Sequence, residues 1–253
     1  MNFTRILLSL FVITIASGQA YAAGDAPKAP KQKWSFSGPF GTYDKASLQR
    51  GLQIYREVCA SCHSMKRIYF RNFEALGYNE SQIKNIAREY TVIDGPDEEG
   101  EMFERPAEPK DAFPSPFPNE NAAKYANGGA LPPDLSLITK ARVNGPNYLH
   151  ALLTGYKEPP HGEKLADGQY WNKYYPGHKL AMAAPLSDEQ VTYEDGTPET
   201  LDQYSRDITH FLTWAADPHM EARKKAGFRV ILFLLVFAGI MYTVKKKMWA
   251  QLH

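Results

Sequence analysis

The chain has 253 residues and 28.5 kDa, with 29 Lys and Arg against 28 Asp and Glu, a formal charge of +1. That balance excludes a generally basic nucleic-acid binder, which carries a clear cationic excess. A composition of 43% hydrophobic and 13% aromatic residues excludes a disordered chain, and two cysteines, Cys59 and Cys62, exclude a disulfide scaffold.

The N-terminus has one basic residue, Arg5, an apolar run from Ile6 to Ala16, and Ala20-Tyr21-Ala22. Eleven apolar residues reach only about 16 Å as a helix, half of a bilayer core of roughly 30 Å. The pattern is that of a secretory leader cleaved after Ala22, rather than an anchor. Loss of residues 1–22 removes Arg5 and leaves a mature formal charge of zero.

Residues 23–33 read as a Pro/Lys/Ala linker. Leu48, Gly51, Leu52, Tyr55, Val58 and Cys59 recur at helical spacing and predict a helix from Lys45 into the cysteine pair. Leu76, Ile83, Ile86 and Ala87 predict helix within 73–90, and residues 91–135, rich in Pro, Gly and acid, read as loops. A short helix is expected over Tyr148–Leu153, then loops punctuated by glycine over 156–198. Leu201, Tyr204, Ile208, Phe211, Leu212 and Ala215 predict an amphipathic helix stopping before Pro218. Residues 226–244 are apolar on all faces, apart from Arg229 and Thr243, and Lys245, Lys246 and Lys247 follow. A buried core helix would not be bracketed by charge in this way, so this is a membrane anchor whose basic ends and Trp249 suit the interfaces. Basic residues flank it on both sides, so the positive-inside rule alone does not orient it. The leader does, placing 23–222 outside and the tail 245–253 in the cytoplasm. The expected fold is mainly α, with long loops of the kind that serve a ligand.

The ligand is indicated by Cys59-Ala-Ser-Cys-His63. Cys-x-x-Cys-His attaches c-type haem: two thiols add to the porphyrin vinyl groups and the next imidazole becomes the proximal iron ligand. One motif implies one haem. The competing readings are a dithiol oxidoreductase, which lacks its βαβ context here, and a structural disulfide, which closes too short a loop to stabilise much. For the sixth ligand the chain offers His150, His161, His178, His210, His219, Met65, Met102, Met182 and Met220. Met182 stands out between Ala181 and Ala183-Ala184-Pro185, where small neighbours let backbone approach a flat ring; His178 is the alternative. A His/Met pair raises the potential and closes the iron to substrates, which favours electron transfer over chemistry on a substrate.

Arg50-Gly-Leu-Gln-Ile-Tyr-Arg-Glu-Val-Cys-Ala-Ser-Cys-His-Ser64 resembles the haem-attachment segment of the cytochrome c1 family, the haem subunit of the ubiquinol–cytochrome c reductase. So do Asn127-Gly-Gly-Ala-Leu-Pro-Pro-Asp-Leu-Ser136, Leu152-Leu-Thr-Gly-Tyr156 with Glu158-Pro-Pro160, Tyr175-Pro-Gly177, Met182-Ala-Ala-Pro185, Asp195-Gly-Thr-Pro198 and the C-terminal anchor. The resemblance implies His63 and Met182 as axial ligands, Arg142 near a haem propionate, and Pro132, Pro133 and Tyr148 lining the pocket. Some bacterial relatives tether the Met loop with a further cysteine pair. This chain has none, so packing alone is expected to hold it. The resemblance further implies a cytochrome b subunit, a Rieske-type iron–sulfur protein as donor and a cytochrome c as acceptor, in a bacterial inner membrane with the haem domain on the periplasmic side. A free-standing anchored cytochrome feeding an oxidase is the runner-up. Between Asp94 and Asp111, eight acids face two basic residues, a local charge of −6 that is either a solvated loop or a docking field for a basic cytochrome c.

Overall fold

In the computed structural model of the chain, residues 26–250 are described. The leader, 1–22, and the last three residues of the tail lie outside them.

The core is built on the crossing of two helices. Helix α1, Lys45–Glu57, starts at Asp44, whose carboxylate accepts the Ala46 and Ser47 N–H groups, and it buries Leu48, Leu52, Ile54 and Tyr55. Its Gly51 permits the crossing: a Cβ there would lie 2.2 Å from the Asp207 carbonyl oxygen and 2.5 Å from Phe211 Cβ. Asp207 and Phe211 belong to the C-terminal helix of the domain, Leu201–Ala216, capped by Thr200 and stopped ahead of Pro218. That helix also packs on Gly145–Thr154, which contains the expected 148–153 segment.

Periodicity suggested one helical stretch over 73–90; the chain makes two. A 3₁₀ helix, Phe70–Leu76, ends at Gly77 with φ 101°, a left-handed stop, and α2, Glu80–Arg88, restarts at Asn79 through a capping box with Gln82. Residues 91–135 are not all loop. Strands β1, Thr91–Asp94, and β2, Phe103–Pro106, form an antiparallel hairpin, and α3 covers Glu120–Ala126. The strands are half exposed and charged, so they lack the alternation that marks a strand in sequence. After α4, Gly145–Thr154, a minimal pair follows: β3, Tyr170–Trp171, with β4, Lys179–Leu180. Leu201–Ala216 is then α5.

Helix α6 runs unbroken over Met220–Trp249, and is long and apolar enough to cross a membrane, with its apolar window unburied. It is longer than 226–244 because its first turns belong to the domain. Arg223 forks onto Asp217, both bonds 2.6 Å, and Lys224 donates to the carbonyls of Phe36 and Gly41 at 2.7 and 3.0 Å. Glu221 accepts the Tyr43 N–H at 2.8 Å. The cations that blurred the orientation of the anchor are thus partly spent fastening it to the domain.

Candidate functional site

Past α1 the chain tightens into a 3₁₀ turn, Cys59–Ser61, with the N–H groups of Cys62 and His63 both on the Cys59 carbonyl. The turn gathers the two cysteines and His63 into one tight segment closed on the Cys59 carbonyl. The cysteines are unbridged and half-buried. Burial, then the neighbouring Cys62, pushes the Cys59 thiol up to about 12. A dithiol oxidoreductase needs the opposite shift, toward thiolate, so this geometry disfavours that reading.

His63 is aimed from behind. Its Nδ1 lies 2.8 Å from the carbonyl oxygen of Pro133, which can only accept, so Nδ1 carries the proton and Nε2 is left as the ligating nitrogen. Burial lowers its proton affinity, against the Pro133 carbonyl and Asp134, and keeps the ring neutral as an iron ligand requires. The donor set fits a covalent c-type haem: two thiols that are not cross-linked and an imidazole with its tautomer fixed.

Asp134 ties the Pro132-Pro133 segment to this turn. Its carboxylate accepts from Ser64 Oγ at 2.8 Å, from the Lys66 N–H at 2.9 Å and from the Ser136 N–H at 2.9 Å, while the Leu135 N–H meets the Ser64 carbonyl. Burial pushes the Asp134 carboxyl up, but these bonds outweigh it and hold it below the usual carboxylate value. Tyr55 adds a bond from its hydroxyl to the His63 carbonyl, 3.0 Å. The family resemblance implies Pro133 as pocket lining; the orienting of His63 by its carbonyl comes from the structure alone. Asp134, inside the same motif, was the available signal that this segment is tied to the turn.

A second group forms around α4. Half-buried Tyr148 has its phenol raised by burial, and Arg142 opposes this by charge and hydrogen bond; Tyr175 and Tyr156 stand nearby. Arg142 itself is exposed and also donates to its neighbour's carbonyl, Ala141 O, at 3.1 Å. The Tyr156 hydroxyl donates to the Met182 carbonyl at 3.0 Å. The expectation that packing alone holds the Met182 loop is therefore corrected: a hydrogen bond from α4's end also holds it.

Most of the rival ligands are bonded to other partners or packed in the core. His150 Nε2 pairs with Asp202 at 3.0 Å. His210 is buried among Trp34, Phe36 and Tyr43, its Nε2 taking the Ser35 hydroxyl at 3.1 Å. His178 stacks on Trp171, centroids 5.2 Å apart, and its Nδ1 donates to the Asn172 carbonyl. Met65 and Met220 are core residues, and Met102, His161 and His219 are exposed.

Of the acidic run, Arg105 engages Asp94 and forks onto Asp111 at 2.7 and 3.0 Å. Glu98, Glu99 and Glu101 remain exposed at the tip of the β1–β2 hairpin.

Residues 34–252 match the sequence model of the Cytochrome C1 family. A protein of Bradyrhizobium diazoefficiens named cytochrome b/c1 is 51% identical over 97% of this chain, which spans 39% of that longer protein. Cytochrome c1 of Rhodospirillum rubrum is 45% identical, covering 97% of this chain and 96% of its own length. The Arabidopsis thaliana protein cytochrome c1 1, heme protein, mitochondrial, is 50% identical over 94% of this chain and 77% of its own.

Proposed function

The chain belongs to the cytochrome c1 family, a family of electron-transport haem proteins, and we propose that it carries one covalent haem c and relays single electrons from a Rieske-type iron–sulfur protein to a cytochrome c. The observation that carries this reading is His63, tautomer fixed by the Pro133 carbonyl, beside two unbridged thiols. The bound haem would supply a one-electron couple that needs no bond chemistry on a substrate. Cys59 and Cys62 would hold it by thioether bonds, His63 and Met182 would be the axial ligands, and Arg142 would face a propionate with Tyr148 beside it. Pro132 and Pro133 would line the His63 side. In this reading residues 1–22 are a leader, 23–222 the exported domain, 226–244 the membrane-spanning part of α6 and 245–253 the cytoplasmic tail, in a bacterial inner membrane with the haem domain periplasmic.

A cytochrome b subunit is the expected membrane partner, and a relative named cytochrome b/c1 that continues well beyond this chain supports it. Solubilising the membranes mildly and purifying the chain tests this. Cytochrome b and iron–sulfur protein should co-purify, and the chain should stain for haem on a denaturing gel. A stained chain that purifies alone favours the free-standing anchored cytochrome; an unstained chain overturns the haem reading.

The exposed carboxylates at the hairpin tip suit a basic acceptor, since opposed fields raise association rates and salt screens them. Replacing Glu98 and Glu99 by Gln is expected to slow reduction of a basic cytochrome c several-fold at low ionic strength and little at high. Equal effects at both would mean that the tip is only a solvated turn.

A further inference from the structure

The loop that carries Met182 has little of its own to hold it. Ala181, Ala183 and Ala184 are exposed, and the bond from Tyr156 is the one hydrogen bond its backbone makes over 181–184 among the described residues. What stands behind Tyr156 is firm. The residue sits directly after α4 and bridges to Asn172, and the Lys173 N–H bonds the Gly155 carbonyl at 2.9 Å. Asn172 is fully buried, its amide donating to the Leu152 carbonyl at 2.8 Å and its side-chain oxygen accepting the Tyr174 N–H at 3.0 Å. Gly155 makes the close approach possible, since a Cβ there would lie 2.7 Å from the Tyr174 ring. The β3–β4 pair is closed by the Asn172 N–H on the His178 carbonyl and by His178 Nδ1–H on the Asn172 carbonyl. Strand β4 ends at Leu180, two residues before Met182, and the Tyr156 hydroxyl then returns from α4 to the Met182 carbonyl. The frame is closed: α4, Asn172, hairpin, Met182, Tyr156.

We infer that Tyr156 is a positioning residue for the Met182 thioether, the phenol clamping the carbonyl of the ligand residue to the α4–hairpin frame so that swinging the thioether off an iron breaks a hydrogen bond. The inference rests on Met182 being the sixth ligand. In a variant without the hydroxyl, displacement no longer costs that bond, and an external ligand competes better by the bond's net worth. A neutral hydrogen bond's net contribution corresponds to about fivefold in an equilibrium constant.

The test is imidazole titration of the ferric, full-length protein in its membrane complex, followed by loss of the long-wavelength sulfur–iron absorption. Tyr156→Phe is expected to keep the band and the covalent haem, to bind imidazole about fivefold more tightly, and to show a lower reduction potential, because a looser thioether stabilises the ferrous state less. Imidazole affinity and potential both unchanged from the parent would overturn the clamp. Met182→Leu, run alongside, separates the two failures. If that variant loses the band while Tyr156→Phe changes nothing, the ligand assignment stands and the clamp falls; if it keeps the band, both fall.

Discussion

Replacing Arg50 by alanine is expected to cost the fold about 3–5 kcal/mol, the penalty for leaving a buried carboxylate unpaired. That carboxylate is Asp207, 1% exposed in the face of α5 that crosses α1. Arg50 grips it with two parallel bonds, Nε to Oδ2 at 2.8 Å and Nη2 to Oδ1 at 3.0 Å, and extends Nη1 to Asp195 at 2.7 Å. The Tyr193 hydroxyl and the Gln203 amide each add a bond to Asp207 at 3.0 Å. The charge is thus satisfied on all sides, but the remaining neutral donors cannot balance it alone. Gly51, next in sequence, seats α1 against the Asp207 backbone, so disorder at Asp207 is felt at the crossing itself. Lysine at 50 keeps the charge without the planar fork and should recover only part of the loss. The double replacement Arg50→Ala with Asp207→Ala should lie closer to the parent than Arg50→Ala does, since no buried charge remains. Thermal unfolding of the detergent-solubilised chain, followed by helical circular dichroism, measures this. A single-variant loss below about 1 kcal/mol would place the pair with ordinary surface bridges and refute the argument.

How much of this was legible in sequence depends on whether a feature is local. Helices α1 and α5 show themselves through apolar spacing, with starts at Asp44 and Thr200 and a stop ahead of Pro218, and the anchor through an unbroken apolar run. The break at Gly77 and the restart at Asn79 were written in the sequence too, but as punctuation, and apolar spacing read across them. The β1–β2 hairpin was hidden because exposed strands need not alternate. Its cohesion comes from Arg105 between Asp94 and Asp111, charges that look in sequence like part of one acidic run. At the candidate site, Cys59, Cys62 and His63 fall within one five-residue motif and so were readable. The Pro133 carbonyl acts through the backbone, which no residue identity announces. Tyr156 and Asn172 act through the fold: one follows a helix, the other sits beside a two-residue strand, and neither type signals a support for a residue further along the chain.

Replacing Met182 by leucine is the change expected to alter the redox chemistry most. Leucine has nearly the same volume, so packing should survive, but it has no lone pair to give an iron. The first expected result is complete loss of the sulfur–iron absorption in the ferric protein. The second is a fall in reduction potential on the order of a few tenths of a volt, out of the roughly 0.8 V that axial ligands command. The third is new affinity of the ferrous form for carbon monoxide, which a six-coordinate iron excludes. The rival, His178, makes an opposite prediction. If its imidazole were the ligand, His178→Ala would open the iron and Met182→Leu would leave potential and carbon monoxide binding unchanged. His178 stacks on the Trp171 ring with its Nδ1–H on the Asn172 carbonyl, which leaves Nε2 as the nitrogen that would have to reach an iron, so the paired substitutions decide between the two residues. Met182 is held through its backbone instead. Its side chain is half-buried and only its carbonyl is engaged, so the thioether can be spent on a metal while Tyr156 keeps hold of the backbone.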